Sequence, residues 1–171
     1  MFYHNITHED MKNGDGIRVV LWVSGCKHHC PECQNPETWE FNSGIPFLMS
    51  DLNEIIEELK KDYTSGLTLS GGDPLAVENR SVVSYIIRTV KNMFPDKTVW
   101  VYTGYTFDYL LSKVDKDPYL KDIINYTDVL IDGEYKKDLR DISLKWRGSS
   151  NQRVIDVQKS LKENKEVLYC D

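Results

Sequence analysis

The sequence predicts an α/β fold, one domain built on a mostly parallel sheet. Three observations carry that reading. Four short runs, Ile17–Val23, Gly66–Ser70, Thr98–Tyr102 and Asp128–Asp132, are rich in β-branched, aromatic and other apolar residues and have the length of buried strands. Stretches with apolar residues at helical spacing lie between them, and strands that alternate with helices build βα units on a parallel sheet. Each run also ends beside a glycine turn: Ser24-Gly25, Gly71-Gly72, Thr103-Gly104 and Gly133.

Taken in order, Ile17–Val23 (Ile-Arg-Val-Val-Leu-Trp-Val) is the first strand. Leu52, Ile55, Ile56 and Leu59 then mark one face of a helix over about 51–62, with Ser50 as its N-cap. After the second strand, Asp73-Pro74 has the form of an N-cap followed by a first helical position. The stripe Val82, Val83, Ile86, Ile87 and Val90 carries that helix to about Phe94 and belongs to the core. Beyond the third strand, two helices are expected over about 106–114 and 118–125. Arg153–Val157 is a short fifth strand after the fourth, and the Lys/Glu-rich stretch over about 156–171 is expected to be a peripheral, solvated tail. Parallel strands place their carboxyl ends together, so the four glycine turns should gather at one rim, where α/β folds assemble their sites.

The composition narrows the function. The chain has 171 residues, 40% hydrophobic and 28% charged, which is globular rather than disordered. Twenty-one Lys and Arg stand against 27 Asp and Glu for a net charge of −6, so the chain lacks the basic footprint of a nucleic-acid binder. No apolar run approaches the ~20 residues of a membrane span. The start, Met1-Phe2-Tyr3-His4-Asn5, has no basic and apolar regions of a signal peptide, so the expected location is the cytoplasm.

The chemistry concentrates in one loop. Three of the four cysteines, Cys26, Cys30 and Cys33, fall within eight residues after the first strand, and Cys170 stands alone near the end as an incidental tail thiol. Clustered thiols in a reducing compartment favour metal or redox chemistry over disulfides. Soft thiolates suit zinc or an iron–sulfur cluster. Structural zinc wants four ligands, and His28 and His29 sit inside too tight a loop to join both flanking cysteines easily. They are read as shaping and shielding the loop. A [4Fe–4S] cluster can take three cysteines and leave one iron open, and an open metal position usually serves chemistry.

Cys26-x3-Cys30-x2-Cys33 is also the signature of the radical S-adenosylmethionine (SAM) enzymes, and Gly71-Gly72-Asp73-Pro74 resembles that family's glycine-rich stretch. Further stretches resemble one branch, the anaerobic ribonucleoside-triphosphate reductase-activating proteins. They are Asn13-Gly14-Asp15-Gly16-Ile17-Arg18, Val23-Ser24-Gly25-Cys26, Cys33 to Trp39, Ser70 to Leu75, Trp100 to Tyr105, and Trp146-Arg147-Gly148-Ser149-Ser150-Asn151-Gln152. Asp15 stands where the branch usually has proline, and Glu32 where most radical SAM loops have an aromatic residue. The resemblance implies a partial or shortened (βα) barrel of radical SAM type. It implies a [4Fe–4S] cluster on Cys26, Cys30 and Cys33, with SAM against Glu32, Cys33, Gln34, Gly71, Gly72 and Asp73. It also implies cleavage of SAM to methionine and a 5′-deoxyadenosyl radical, which takes a hydrogen atom from a glycine of an anaerobic ribonucleoside-triphosphate reductase. A low-potential electron donor such as a flavodoxin would be needed, and no acid–base residue, nucleic acid or membrane. Activation of another glycyl-radical enzyme, of formate-lyase type, or a zinc-binding interaction module are the alternatives.

Several residues have readings of their own. Gly104 at the third strand end serves a tight turn or a SAM contact, and Asp132 at the fourth bonds the ligand or caps a helix. Arg147 to Asn151 form a polar loop able to grip a partner or an anion. His4 and His8 are expected at the surface.

Overall fold

The strand runs do become strands, and they join into one eight-stranded sheet in a computed structural model that describes residues 1–170. The strands are β1 (Phe2–Asp10), β2 (Ile17–Val23), β3 (Ile45–Pro46), β4 (Thr64–Gly71), β5 (Thr98–Tyr102), β6 (Val129–Asp132), β7 (Arg153–Asp156) and β8 (Leu168–Cys170). The helices are α1 (Met49–Leu59), α2 (Arg80–Met93), α3 (Phe107–Leu111), α4 (Pro118–Tyr126) and α5 (Val157–Glu163). The strand order is β3-β1-β2-β4-β5-β6-β7-β8. Only the centre is parallel: β2, β4, β5 and β6 pair in parallel, whereas β1, β3, β7 and β8 join antiparallel. The sheet is therefore mixed, which corrects the expectation of a mostly parallel one.

The two faces of the sheet differ. One carries the main core, where Val19, Leu21, Leu67, Leu69, Val99 and Val101 of the central strands meet Leu52 and Ile55 of α1 and Val83, Ile86, Ile87 and Val90 of α2. Val82 is only partly buried at the edge of that core. The other face carries a smaller cluster of Trp100, Val129, Ile131 and Val154, with Tyr102, Trp146 and Cys170 packed against it. Arg18 is fully buried and has no carboxylate partner among the described residues. Its guanidinium donates to Thr68 Oγ1, Thr98 Oγ1 and the carbonyls of Asp15, Leu67 and Thr98, and lies 5.2 Å from the Trp100 ring centroid. Gly66 makes the room, since a Cβ there would stand 1.9 Å from the Thr98 carbonyl oxygen and 2.9 Å from the Arg18 guanidinium.

Four local expectations change. Helix α1 starts earlier, with Leu48 as N-cap and the Asp51 carboxylate accepting the Leu48 N–H (2.6 Å), so Ser50 lies inside the helix. No helix starts at Asp73-Pro74: the Asp73 carboxylate does accept the Leu75 N–H as a local cap would, but only turns follow and α2 begins at Arg80. The helix expected over 106–114 ends at Leu111 and is followed by a 3₁₀ turn, Val114–Lys116. The tail is not merely solvated. Asp156 caps α5 by accepting the Lys159 N–H, Val157 and Ser160 are buried, and β8 pairs with β7 so that Cys170 packs on the second cluster.

Candidate functional site

Because β2, β4, β5 and β6 run parallel, the segments after Val23, Gly71, Tyr102 and Asp132 meet at one rim, as their glycine turns suggest. The cysteine loop leaves β2 and is pinned at its root by main-chain bonds. Gly25 N–H donates to the Thr38 carbonyl (2.7 Å) and Cys26 N–H to that of Trp39 (2.9 Å). The turn after β4 docks onto the same root, Gly72 N–H on the Val23 carbonyl and Asp73 N–H on that of Gly25, both at 2.8 Å. This docking explains the glycine pair. Gly71 has φ +98°, and a Cβ on Gly72 would stand 2.7 Å from the Gly25 carbonyl oxygen. The chain's own backbone, before any ligand, demands glycine here.

A cavity of about 560 Å³ opens beside this junction. Cys26, Cys30, Cys33, Gln34, Gly71, Gly72 and Asp73 all line it, so the structure brings seven of the eight sequence-predicted site residues together. Glu32 is the one outside the lining. It is exposed, has φ +56°, and its carboxylate pairs with Lys137. Trp22, Tyr102, Trp146 and Arg147 also line the cavity.

The three thiols are free and half-buried. Burial pushes Cys26 up to about 11, against the opposing hydrogen bonds of the His28 and His29 amides. Burial also raises Cys30, opposed by the Tyr135 amide arriving from the end of β6. Cys33 Sγ accepts the Asn35 N–H at 3.4 Å. Amides directed at sulfur stabilise thiolates bound to metal and tune such centres. Metal binding would displace the thiol protons. Among the described residues, no three His, Cys, Asp or Glu side chains converge on a point where one metal ion would sit. The thiols are instead distributed along the wall of a cavity roomy enough for a multi-iron group and a small molecule.

Behind the thiols lies a polar network that the sequence did not reveal. Asp73 is 1% exposed, and its carboxylate accepts from Leu75 N–H (2.8 Å), Gly104 N–H (3.0 Å), Thr103 Oγ1 (2.9 Å) and the His28 ring. His28 reaches Asp73 Oδ2 through Nε2 and Glu134 Oε1 through Nδ1, each at 2.9 Å. The Asp73 hydrogen bond, against the pull of burial, raises its pKa. Tyr105 meets the ring edge-on at 4.6 Å. His29 stacks on Trp39 at 4.6 Å, with a left-handed φ of 48°. The two histidines thus shape the loop, as expected. Gly104 answers to a neighbour: its Cβ would lie 2.4 Å from the His28 ring.

The remaining candidates take structural places. Asp132 accepts the Phe107 N–H (2.7 Å) at the start of α3 and pairs with Arg153, so it supports a helix start and lies outside the cavity lining. Gln152 staples the excursion between β6 and β7: its amide donates to the Gly133 carbonyl and accepts from Gly148 N–H. Arg147 donates to the Gln152 carbonyl, but its buried Nε has no partner among the described residues. The same holds for Trp39 Nε1, and both side chains line the cavity. Trp146, next to Arg147, holds φ +59°, a strained value for a bulky residue of the kind found at ligand sites. His4 bonds Ser43 and His8 pairs with Glu54, both outside the cavity lining.

Comparison with known proteins gives a consistent result. Residues 12–155 match the model of the 4Fe-4S single cluster domain family. The chain is 44% identical over 154 residues to the anaerobic ribonucleoside-triphosphate reductase-activating protein of Enterobacteria phage T4, covering 90% of this chain and 93% of that one. The protein of the same name from Escherichia coli (strain K12) is 42% identical over 156 residues, covering 90% and 97%. That of Pasteurella multocida is 44% identical over 147 residues, covering 85% and 90%.

Proposed function

This chain belongs to the family of anaerobic ribonucleoside-triphosphate reductase-activating proteins, and from that premise we propose that it is a radical SAM enzyme installing a glycyl radical on such a reductase. One observation carries the reading: three thiols and a glycine turn face a single cavity at the carboxyl rim of four parallel strands. Cys26, Cys30 and Cys33 hold a [4Fe–4S] cluster with one iron open. The fit is supported by the amides that reach each of the three sulfurs. SAM lies against Gln34 and the Gly71–Gly72 turn, next to Cys33. The unpartnered donors of Trp39 and Arg147 are groups that such a polar, carboxylate-bearing ligand would satisfy. The parallel run β2-β4-β5-β6 supplies the strands of a shortened (βα) barrel of radical SAM type.

Held by Cys26, Cys30 and Cys33, a [4Fe–4S] cluster would supply one-electron chemistry, relaying an electron from a low-potential donor such as a flavodoxin so that SAM could be cleaved to methionine and a 5′-deoxyadenosyl radical able to take a hydrogen atom from the substrate glycine. This chain's part is to bind, orient and shield. No side-chain base is needed, and Asp73 serves in the cavity wall through its bonds to Thr103, Gly104 and His28. The site opens at a rim in a chain of 171 residues, which suits a peptide loop presented by a second protein that closes over it.

Anaerobically reconstituted protein should carry about four irons and four sulfides per chain. Mixed with a reductant, SAM and an anaerobic ribonucleotide reductase, it should leave a persistent glycyl-radical EPR signal on the reductase, with methionine and 5′-deoxyadenosine as products. The signal should vanish when the reductase's radical-site glycine is changed to alanine. Stoichiometric zinc in a colourless protein, or a radical raised only on a formate-lyase type enzyme, would overturn the proposal.

A further inference from the structure

Resting on that reading, we propose that His28 is a positioning residue: it fixes the cluster loop against the glycine turn and so sets where the cluster's open iron stands relative to bound SAM. The backbone leaves this task to side chains. Main-chain bonds tie down the root of the loop at Gly25 and Cys26. Between there and Cys33, the described main-chain bonds include only one within the loop, Cys33 N–H to the Cys30 carbonyl (3.0 Å). The ring of His28, between two of the three cysteines, spans that gap.

Its partners lie on two other strand ends. Asp73 follows directly on Gly72, so whatever holds its carboxylate also holds the turn. That carboxylate is itself fixed by Leu75, Thr103 and Gly104. Glu134 follows β6, where the next residue, Tyr135, offers its amide to Cys30. One imidazole therefore joins the ends of β2, β4 and β6, and β5 contributes Gly104 and Tyr105 as the surface on which the ring rests. The pocket is made for that ring, because even a methyl group at Gly104 would overlap it. With both nitrogens directed at carboxylates, the ring is not presented as a metal ligand. The ring also lines the cavity, and on this proposal its two carboxylate bonds, rather than a contact with SAM, carry its effect.

The test compares His28→Phe, which keeps a ring and loses both hydrogen bonds, with His28→Gln, which keeps a donor. Anaerobically reconstituted proteins are assayed for iron and sulfide, for thermal unfolding, for SAM affinity by equilibrium binding, and for the change SAM makes in the EPR signal of the reduced cluster. Both variants should retain iron and sulfide. His28→Phe should bind SAM about tenfold more weakly, the scale of a lost charge-assisted hydrogen bond, and its EPR signal should respond less to SAM. His28→Gln should recover part of both. Loss of iron from both variants would make His28 a cluster-holding residue and overturn the inference. Unchanged SAM affinity and EPR response in His28→Phe would overturn it equally. The wild-type protein separates the two levels: no cluster, or no EPR response to SAM, refutes the proposed function itself.

Discussion

Asp73→Asn tests whether the network in the cavity wall is the support described. The substitution preserves shape and removes a charge and an acceptor. In the native protein, one carboxylate oxygen accepts from Leu75 N–H and Thr103 Oγ1, and the other from His28 Nε2 and Gly104 N–H. An asparagine must turn its NH₂ toward one of these sets. Thr103 can rotate its hydroxyl and His28 can change tautomer, but a backbone N–H can do neither. Either orientation therefore leaves one amide, the buried one of Leu75 or the partly buried one of Gly104, facing another donor. An orphaned buried donor costs about 1–3 kcal/mol, and at roughly 2–4 °C per kcal/mol for a chain of this size the melting temperature should fall by about 2–12 °C. The assay is thermal and urea unfolding of the metal-free protein, so ligand effects do not enter. A destabilisation below about 0.5 kcal/mol, the scale of an ordinary surface change, would refute the buried, fully engaged carboxylate.

Three further outcomes are expected. Alanine at Cys26, Cys30 or Cys33 should remove stable iron and sulfide, whereas Cys170→Ala should leave both intact and cost only about 1 kcal/mol, since that thiol is half-buried against the second cluster; metal analysis and urea unfolding check this. Gly72→Ala should destabilise the metal-free protein by about 1–3 kcal/mol, because the new methyl would stand 2.7 Å from the Gly25 carbonyl oxygen; an unchanged melting temperature would contradict the close docking of the turn. Asp117 caps α4 and pairs with Arg80 at 2.7 Å. Burial tends to raise its pKa, but the Leu120 amide and Arg80 outweigh it and hold the carboxyl below the usual value. A depressed pKa means stabilisation that is present above the unfolded value near 4 and lost as pH falls through the lower folded one. Asp117→Asn should thus be less stable than wild type at pH 7, with the gap closing below about pH 4 in urea titrations.

The sequence revealed the central strands because they are buried on both faces. Ile17–Val23 and Thr98–Tyr102 match the observed strands residue for residue, since each is rich in β-branched and aromatic residues, interrupted in the first only by the buried Arg18, and leaves little choice of structure. The outer strands carry no such run. In Phe2–Asp10, buried Tyr3 and Ile6 are set among polar residues, and Leu168–Cys170 is three residues long. Their structure comes from pairing with a formed neighbour, which local composition cannot encode. The same reason turned a tail into α5 and β8. Asp73-Pro74 misled for a different reason: its side chain makes the local bond to Leu75 N–H that a cap would make, but it also holds groups thirty and forty-five residues away in sequence, and turns rather than a helix follow.

That misreading also explains which part of the site was legible. Cysteine spacing and strand-end glycines are local signals, and they located the thiols, Gln34 and the Gly71–Gly72 turn around one cavity. What organises them is not local. His28 takes its partners from the ends of β4 and β6, and Gly104 is explained only by a ring that the loop after β2 delivers. Both glycine motifs suggested room for a ligand, yet the space at Gly72 and Gly104 is filled by the protein itself, by the Gly25 carbonyl and the His28 ring. Glycine at a strand end reports a close approach without saying of what. Here it reports the packing of one strand-end loop on the next, and that packing gives the open rim a defined shape before any ligand arrives.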